Sequence, residues 1–332
     1  MTYEKNLVVS ASPHNRTAKS VRGIMLDVII ALIPALIASV VFFGPRALII
    51  ECVSVASCVL AEYISRKVMK RSSTVGDLSA IITGLLLAFN LPVTIPLWMV
   101  VIGAVVAVVV VKQMFGGIGQ NFVNPAIGGR IVLLASFPTA MSAWTKPMSW
   151  SMSNLSGVTS ASPLASIHTM TADGGSVDVS LIDMLIGNRA GCIGETCAIA
   201  LLIGGIYLVA RKVISPTIPL CYIGTVAVIM LIAGKGDFSF VAYELLGGGL
   251  MLGAIFMATD YTTSPITFKG KIIFAVGCGL ITSLIRLFGN LPEGVSYSII
   301  IMNILVPLIE NITLPKPFGT KKEKKQKEAG KA

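Results

Sequence analysis

Apolar runs long enough to cross a bilayer, repeated along the whole chain, leave few choices of fold. A helix needs roughly 20 apolar residues to span the hydrocarbon. Candidate runs occur at residues 23–43, 47–64, 95–111, 196–210, 218–233, 241–258, 272–287 and 295–309. Two shorter runs, 79–90 and 126–137, are punctuated by turn residues: Asn90, Leu91 and Pro92 close the first, while Asn124 and Pro125 open the second and Pro138 follows it. Together they predict an all-α integral membrane protein with about ten transmembrane helices. Only 13% of the residues are charged, about half the usual share for a soluble domain, so the composition agrees.

Lysine and arginine accumulate on the cytoplasmic side of membrane proteins. If Lys5, Arg16, Lys19 and Arg22 lie inside, so do Arg66, Lys67, Lys70 and Arg71, then Lys112, Arg130, Arg211, Lys212, Lys269 and Lys271, and finally a tail with seven lysines and two glutamates from Lys316 onward. The opposite loops hold few bases, among them Arg46, Lys146, Arg189 and Lys235. Both termini are therefore expected in the cytoplasm, with 139–180 outside. The chain divides into a cytoplasmic segment (1–22), a first membrane repeat (23–138), an extracytoplasmic loop (139–180), a second repeat (181–313) and a basic tail (314–332). The net charge of +10 is concentrated in that tail and otherwise scattered between apolar runs, which speaks against a nucleic-acid face.

The halves look related by inversion. Helix-breaking Asn and Pro occur at Asn90 to Pro92 and Asn124 to Pro125, then at Asp260 to Pro265 and Asn290 to Pro292. Interrupted helices at matching positions of an inverted repeat point to a site near the middle of the membrane, although ordinary helix ends would give the same punctuation.

Acids inside spans need a partner or a role. Asp27, Glu51, Glu195 and Glu244 qualify, and Glu244, on the same run as Gly247, Gly248, Gly249 and Gly253, is the candidate for an ion pathway. Six cysteines form no CxxC pair and read as small buried hydrophobes, with a metal or redox role left open for Cys192 and Cys197. His14 and His168 are the only imidazoles, so no His-based metal site is expected. No phosphate-binding loop ending in Lys and Ser/Thr exists, which excludes pumping by the chain's own ATP hydrolysis. The loop Gly116, Gly117, Ile118, Gly119, Gln120, Asn121, Phe122, Val123, Asn124, Pro125 sets glycines and amides before a short helix. Such a loop can face a flat polar ring or simply make a tight turn.

Several motifs in one order carry a resemblance: Ser12, Pro13, His14; Met25, Leu26, Asp27; Gly116 through Pro125; Gly194, Glu195, Thr196; Phe256 through Asp260 with Thr263, Ser264, Pro265; Pro292 through Ser296; and Met302, Asn303, Ile304. The chain resembles the RnfD family, a membrane component of the Rnf electron-transport complex, which is itself similar to the NqrB component of the sodium-pumping quinone reductase. The short N-terminal segment favours the former. The resemblance implies two inverted five-helix repeats of urea-transporter-like fold. It also implies an FMN joined through its phosphate to a hydroxyl by a flavin transferase. Aligning Pro163, Leu164 and Ala165 with the family pattern makes Ser162 the acceptor in place of the usual Thr, with Thr159 as the alternative and Ser156 where the family has Asp. A second, non-covalent riboflavin is implied near Asn121 and Asn124.

The function implied is that of a flavin-carrying component, not catalytic alone, in a bacterial cytoplasmic-membrane complex that couples electron transfer between ferredoxin and NAD to Na⁺ or H⁺ translocation. Its partners would be the iron-sulfur and flavin subunits of that complex. The alternatives are the quinone-reductase component and a non-redox channel or transporter of the same fold.

Overall fold

The computed structural model describes residues 20–145, 147–148, 179–289 and 294–315. Helices, turns and loops make up the described residues, with no strand among them. In hydrocarbon every backbone polar group must be satisfied within the chain, and a helix does this locally.

The first helix, α1 (Val21–Phe43), is capped by Ser20, whose hydroxyl accepts from Gly23 N at 3.1 Å. Its large exposed side chains, Leu26, Ile30, Ile33, Ile37 and Val41, recur every three or four residues, while Ala31, Leu32, Ala35, Ser39 and Phe43 are buried. An exposed apolar stripe opposite a face of smaller residues is the inverse of a soluble amphipathic helix, as expected where lipid is the solvent. Gly44 turns the chain into α2 (Pro45–Val68), with Pro45 in the first helical turn where its missing N–H costs nothing.

Short α3 (Ser79–Phe89) ends at Asn90; α4 (Leu97–Val105) continues as a π-helical segment, Val106–Gln113; α5 (Pro125–Ser136) starts at Asn124. After the brief α6 (Pro138–Met141) the described chain resumes with α7 (Leu181–Ile186), α8 (Ala198–Ala210) and α9 (Thr217–Ala233). Then α10 (Phe238–Leu246) bends by 67° into α11 (Leu250–Leu252), which runs on as a second π segment, Gly253–Met257. Finally α12 (Phe268–Phe288) and α13 (Val295–Thr313) are long helices. Both π segments border the polar junctions described below, as such segments often do at functional positions.

Four of the described helices, α1, α2, α12 and α13, are long and apolar enough to cross a membrane singly, and the bent pair α10/α11 is either a fifth, broken span or a re-entrant loop. With its exposed apolar helices, the molecule is a multi-pass membrane protein. Close helix approach relies on small residues. A Cβ at Gly204 on α8 would collide with the Ala31 carbonyl of α1, so only glycine lets these two backbones touch.

Two charges assigned to inside turns by sequence sit elsewhere. Lys112 lies within the π segment and Arg130 within α5, each 3% exposed. Each has a buried partner, which is why an apolar run tolerates it.

Candidate functional site

The helix breaks marked by Asn90 and Asn124 meet in space. Asn90 caps α3 and donates to Leu86 O at 2.6 Å and to Met257 Sδ at 3.7 Å. Asn124 caps α5 by accepting from Ala126 N and Ile127 N, and donates to Met257 O at 3.2 Å. The end of the second π segment is thus gripped by both interrupted helices of the first half. In the amide orientation that satisfies its surroundings, Asn303 on α13 donates to Thr263 O and accepts from Asn124 N.

Arg130, one to two turns into α5, donates to Asn90 Oδ1 at 2.5 Å and contacts Cys192 Sγ at 3.7 Å. Cys192 N donates to Glu195 Oε1 at 3.1 Å, while Glu195 Oε2 is buried with no hydrogen-bond partner among the described residues. That oxygen packs against the bend: a Cβ on Gly249 would lie 2.8 Å from it. Neither Cys192 nor Cys197 is joined in a disulfide, and no cluster of metal-ligating side chains occurs among the described residues.

On one side of this junction opens a cavity of about 120 Å³, smaller than the ~300–1,000 Å³ usual for ligand pockets. Ile24, Met25, Val28, Leu86, Leu208 and Phe256 give it apolar walls, and Asn121, Asn124, Thr259, Asp260 and Thr262 supply a polar edge. The structure therefore brings Asn121 and Asn124 together on one cavity. Their chemistry differs. Asn124 spends its oxygen on the α5 cap, whereas among the described residues Asn121 commits only its amide nitrogen, to Val123 O at 3.1 Å and toward Asp260. Burial pushes the Asp260 carboxyl above the ordinary carboxylate range, against the opposing hydrogen bonds of Thr262, Thr263 and Asn121. Tyr261, beside it, hydrogen-bonds Val213 O and so ties this loop to the end of α8.

Lys112 and Ser79 also line the cavity: Lys112 Nζ pairs with Glu62 at 2.8 Å and donates to Ser79 Oγ at 2.6 Å. Thr74 donates to the other Glu62 oxygen at 2.5 Å, so both carboxylate oxygens of this buried pair are bonded.

Glu244, 4% exposed, faces the interior and pairs with Arg286 at 3.0 Å. Arg286 also donates to Glu244 O at 2.6 Å and Gly247 O at 3.0 Å, covering carbonyls left open where α10 bends. Glu51 accepts from Ser39 at 2.6 Å, and Asp27 from Tyr207 and Arg211. Ser162 and Thr159 lie outside the described residues. The sequence reading places Lys112 and Arg130 in inside turns and assigns Glu62 and Arg286 no role; the available signal was a charged residue inside an apolar run, as both Glu62 and Arg286 are.

The model of the NQR2, RnfD, RnfE family matches residues 8–319. The chain belongs to that family. Among its relatives, the D component of a Na(+)-translocating ferredoxin:NAD(+) oxidoreductase complex of Acetobacterium woodii is 47% identical over 98% of this chain and 99% of the relative. The D component of a proton-translocating ferredoxin:NAD(+) oxidoreductase complex of Clostridium ljungdahlii is 42% identical over 96% and 98%. The D component of an ion-translocating oxidoreductase complex of Escherichia coli is 35% identical over 95% and 99%. Family membership thus extends over both membrane halves and the junction between them.

Proposed function

We propose that this chain is the flavin-carrying membrane component of an Rnf-type complex, which couples electron transfer between ferredoxin and NAD to Na⁺ or H⁺ movement. Its near full-length identity to the relatives from the two ferredoxin:NAD(+) oxidoreductase complexes carries that reading. The chain acts as part of an oxidoreductase complex rather than as an enzyme alone, with the iron-sulfur and flavin subunits as partners in a bacterial cytoplasmic membrane. Four long helices, one bent pair and five shorter apolar helices make ten elements, which supports two inverted five-helix repeats of urea-transporter-like architecture with both termini inside.

Two flavins complete the proposal. A flavin supplies one- and two-electron transfer, while the protein sets its position and surroundings. The lining of the cavity at Asn121 suits a riboflavin ring: its walls are apolar, and the unspent Asn121 oxygen and the Asp260 carboxyl are acceptors at its polar edge. Asn124 holds the wall of that cavity through its cap rather than offering a free oxygen. FMN is carried on Ser162, with Thr159 as the alternative hydroxyl, through a phosphoester made by a flavin transferase. On the outward loop 139–180 that anionic ester stays hydrated, whereas within hydrocarbon it would be costly.

Membrane vesicles from a strain lacking this chain test the reading. They should lose ferredoxin-dependent NAD reduction and the accompanying ion uptake, and the wild-type chain should restore both. Undiminished electron transfer and ion uptake in vesicles without the chain would refute it.

A further inference from the structure

Between α1 and α2 a carboxyl is buried with no cation to hold its charge. Glu51, about 9 Å past the start of α2, is 2% exposed, and none of the ion pairs among the described residues includes it. Two other buried acids, Glu62 and Glu244, instead sit 2.8 Å from Lys112 and 3.0 Å from Arg286. Among the described residues Glu51 Oε2 has no hydrogen-bond partner, and Oε1 has Ser39. The Ser39 hydroxyl is buried too, 2.6 Å from Glu51 Oε1 and 2.7 Å from Leu36 O, and its one proton cannot serve both acceptors well. A proton on Glu51 completes both contacts: the acid donates to Ser39 Oγ, and Ser39 donates to Leu36 O. An ionised carboxylate here would be a bare charge in an apolar layer, which is costly.

The same residue lines a crevice. Leu36 of α1 and Leu48, Glu51, Cys52, Val55 and Ala56 of α2 enclose about 280 Å³. An apolar cavity of about 150 Å³ already admits benzene, so this crevice has room for a hydrocarbon ring. Leu48, Cys52 and Ala56 are exposed, so it opens on the apolar surface of the helices, where lipid is the solvent.

We propose that Glu51 is held as the neutral acid beside this crevice and is a modification site for apolar, lipid-soluble carbodiimides. Reaction with that class of electrophile needs a carboxyl that still carries its proton, in surroundings with no water to hydrolyse the adduct. The Glu51 proton passes to one carbodiimide nitrogen, and the carboxyl oxygen adds to the central carbon, forming a C–O bond as one C=N bond becomes single. Migration of the acyl group to nitrogen then leaves an N-acylurea holding every atom of both reactants, with nothing oxidised or reduced and no group lost. This site is separate from the flavin cavity and does not depend on the function proposed above.

The test is labelling of the full chain in liposomes at neutral pH with dicyclohexylcarbodiimide or with a cationic, water-soluble carbodiimide, read by peptide mass mapping. Dicyclohexylcarbodiimide should add its full mass to the peptide containing Glu51, and the cationic reagent should not. Glu62 and Glu244, kept ionised by Lys112 and Arg286, should stay unmodified. Glu51→Gln should lose the adduct. Ala56→Phe keeps the acid but fills the crevice from its lipid side, so it should slow labelling severalfold while leaving helical circular dichroism unchanged. Should Glu51→Gln fold poorly, the wild-type map and Ala56→Phe still decide the matter. An unmodified Glu51 in the wild type, or equal labelling by both reagents, would overturn the neutral, lipid-reached acid. Labelling of Glu62 and Glu244 to the same extent as Glu51 would overturn its selectivity, and undiminished labelling in Ala56→Phe would overturn the crevice as the route.

Discussion

Replacing Arg286 by Met should be among the most damaging single changes in the second half. The guanidinium holds the Glu244 carboxylate at 3.0 Å and also donates to Glu244 O and Gly247 O, with both side chains at or below 5% exposure. Methionine matches its length but leaves a buried carboxylate and bare carbonyls at the bend. Breaking a buried pair from one side costs about 3–5 kcal/mol. Glu244→Gln is the milder change, about 1–2 kcal/mol, because the amide oxygen still accepts and the carbonyl bonds remain. The double variant Glu244→Gln/Arg286→Met should recover part of the loss, since no carboxylate is then stranded. Unfolding in detergent, followed by loss of helical circular dichroism, measures all three. Equal losses for the two single variants, or a negligible loss for Arg286→Met, would refute the reasoning. The same proteins address the ion-pathway role of Glu244: in reconstituted vesicles, unchanged stability with abolished ion transport in Glu244→Gln would favour the pathway, and full transport would leave an anchor for the bend.

Other consequences are as direct. Gly204→Leu should prevent α8 from seating on α1, because its side chain would enter the Ala31 carbonyl, and should lower the yield of folded protein in a detergent gel-filtration assay. Asn121→Leu should remove non-covalently bound riboflavin, read as flavin released by acid, while leaving helical content unchanged. Asp260 gives a pH signature. Its folded-state value lies above the ordinary range, so its contribution is favourable below the unfolded value, about 4, and is lost as pH rises through the folded one. Asp260→Asn should therefore gain stability relative to wild type as pH rises from about 4, measured by thermal unfolding across pH; a constant difference would contradict the burial argument.

Much of the helical architecture was legible in the sequence because bilayer thickness and turn chemistry act locally. Asn90 and the pair Asn124 and Pro125 marked both interrupted helices within a residue of their observed ends. Their convergence on Met257 was not legible, since it joins residues 133 and 167 positions apart. Arg130 shows the same limit: a base beside glycines reads as a loop charge until Asn90, 40 residues away, is seen to receive it. Glu244 stood out as an acid in an apolar run, but the partner that explains its burial lies 42 residues further on. Sequence spacing carries no record of such pairs.

The flavin content of the purified chain, co-produced with a flavin transferase, tests the central claim most directly. Intact-mass and peptide mapping should show one FMN esterified within the loop 139–180, on Ser162, together with one riboflavin released on denaturation. Fluorescence on denaturing gels should persist in Thr159→Val and disappear in Ser162→Ala. Loss in Thr159→Val with retention in Ser162→Ala would move the ester to Thr159, whereas a wild-type chain free of covalent and bound flavin would contradict the account.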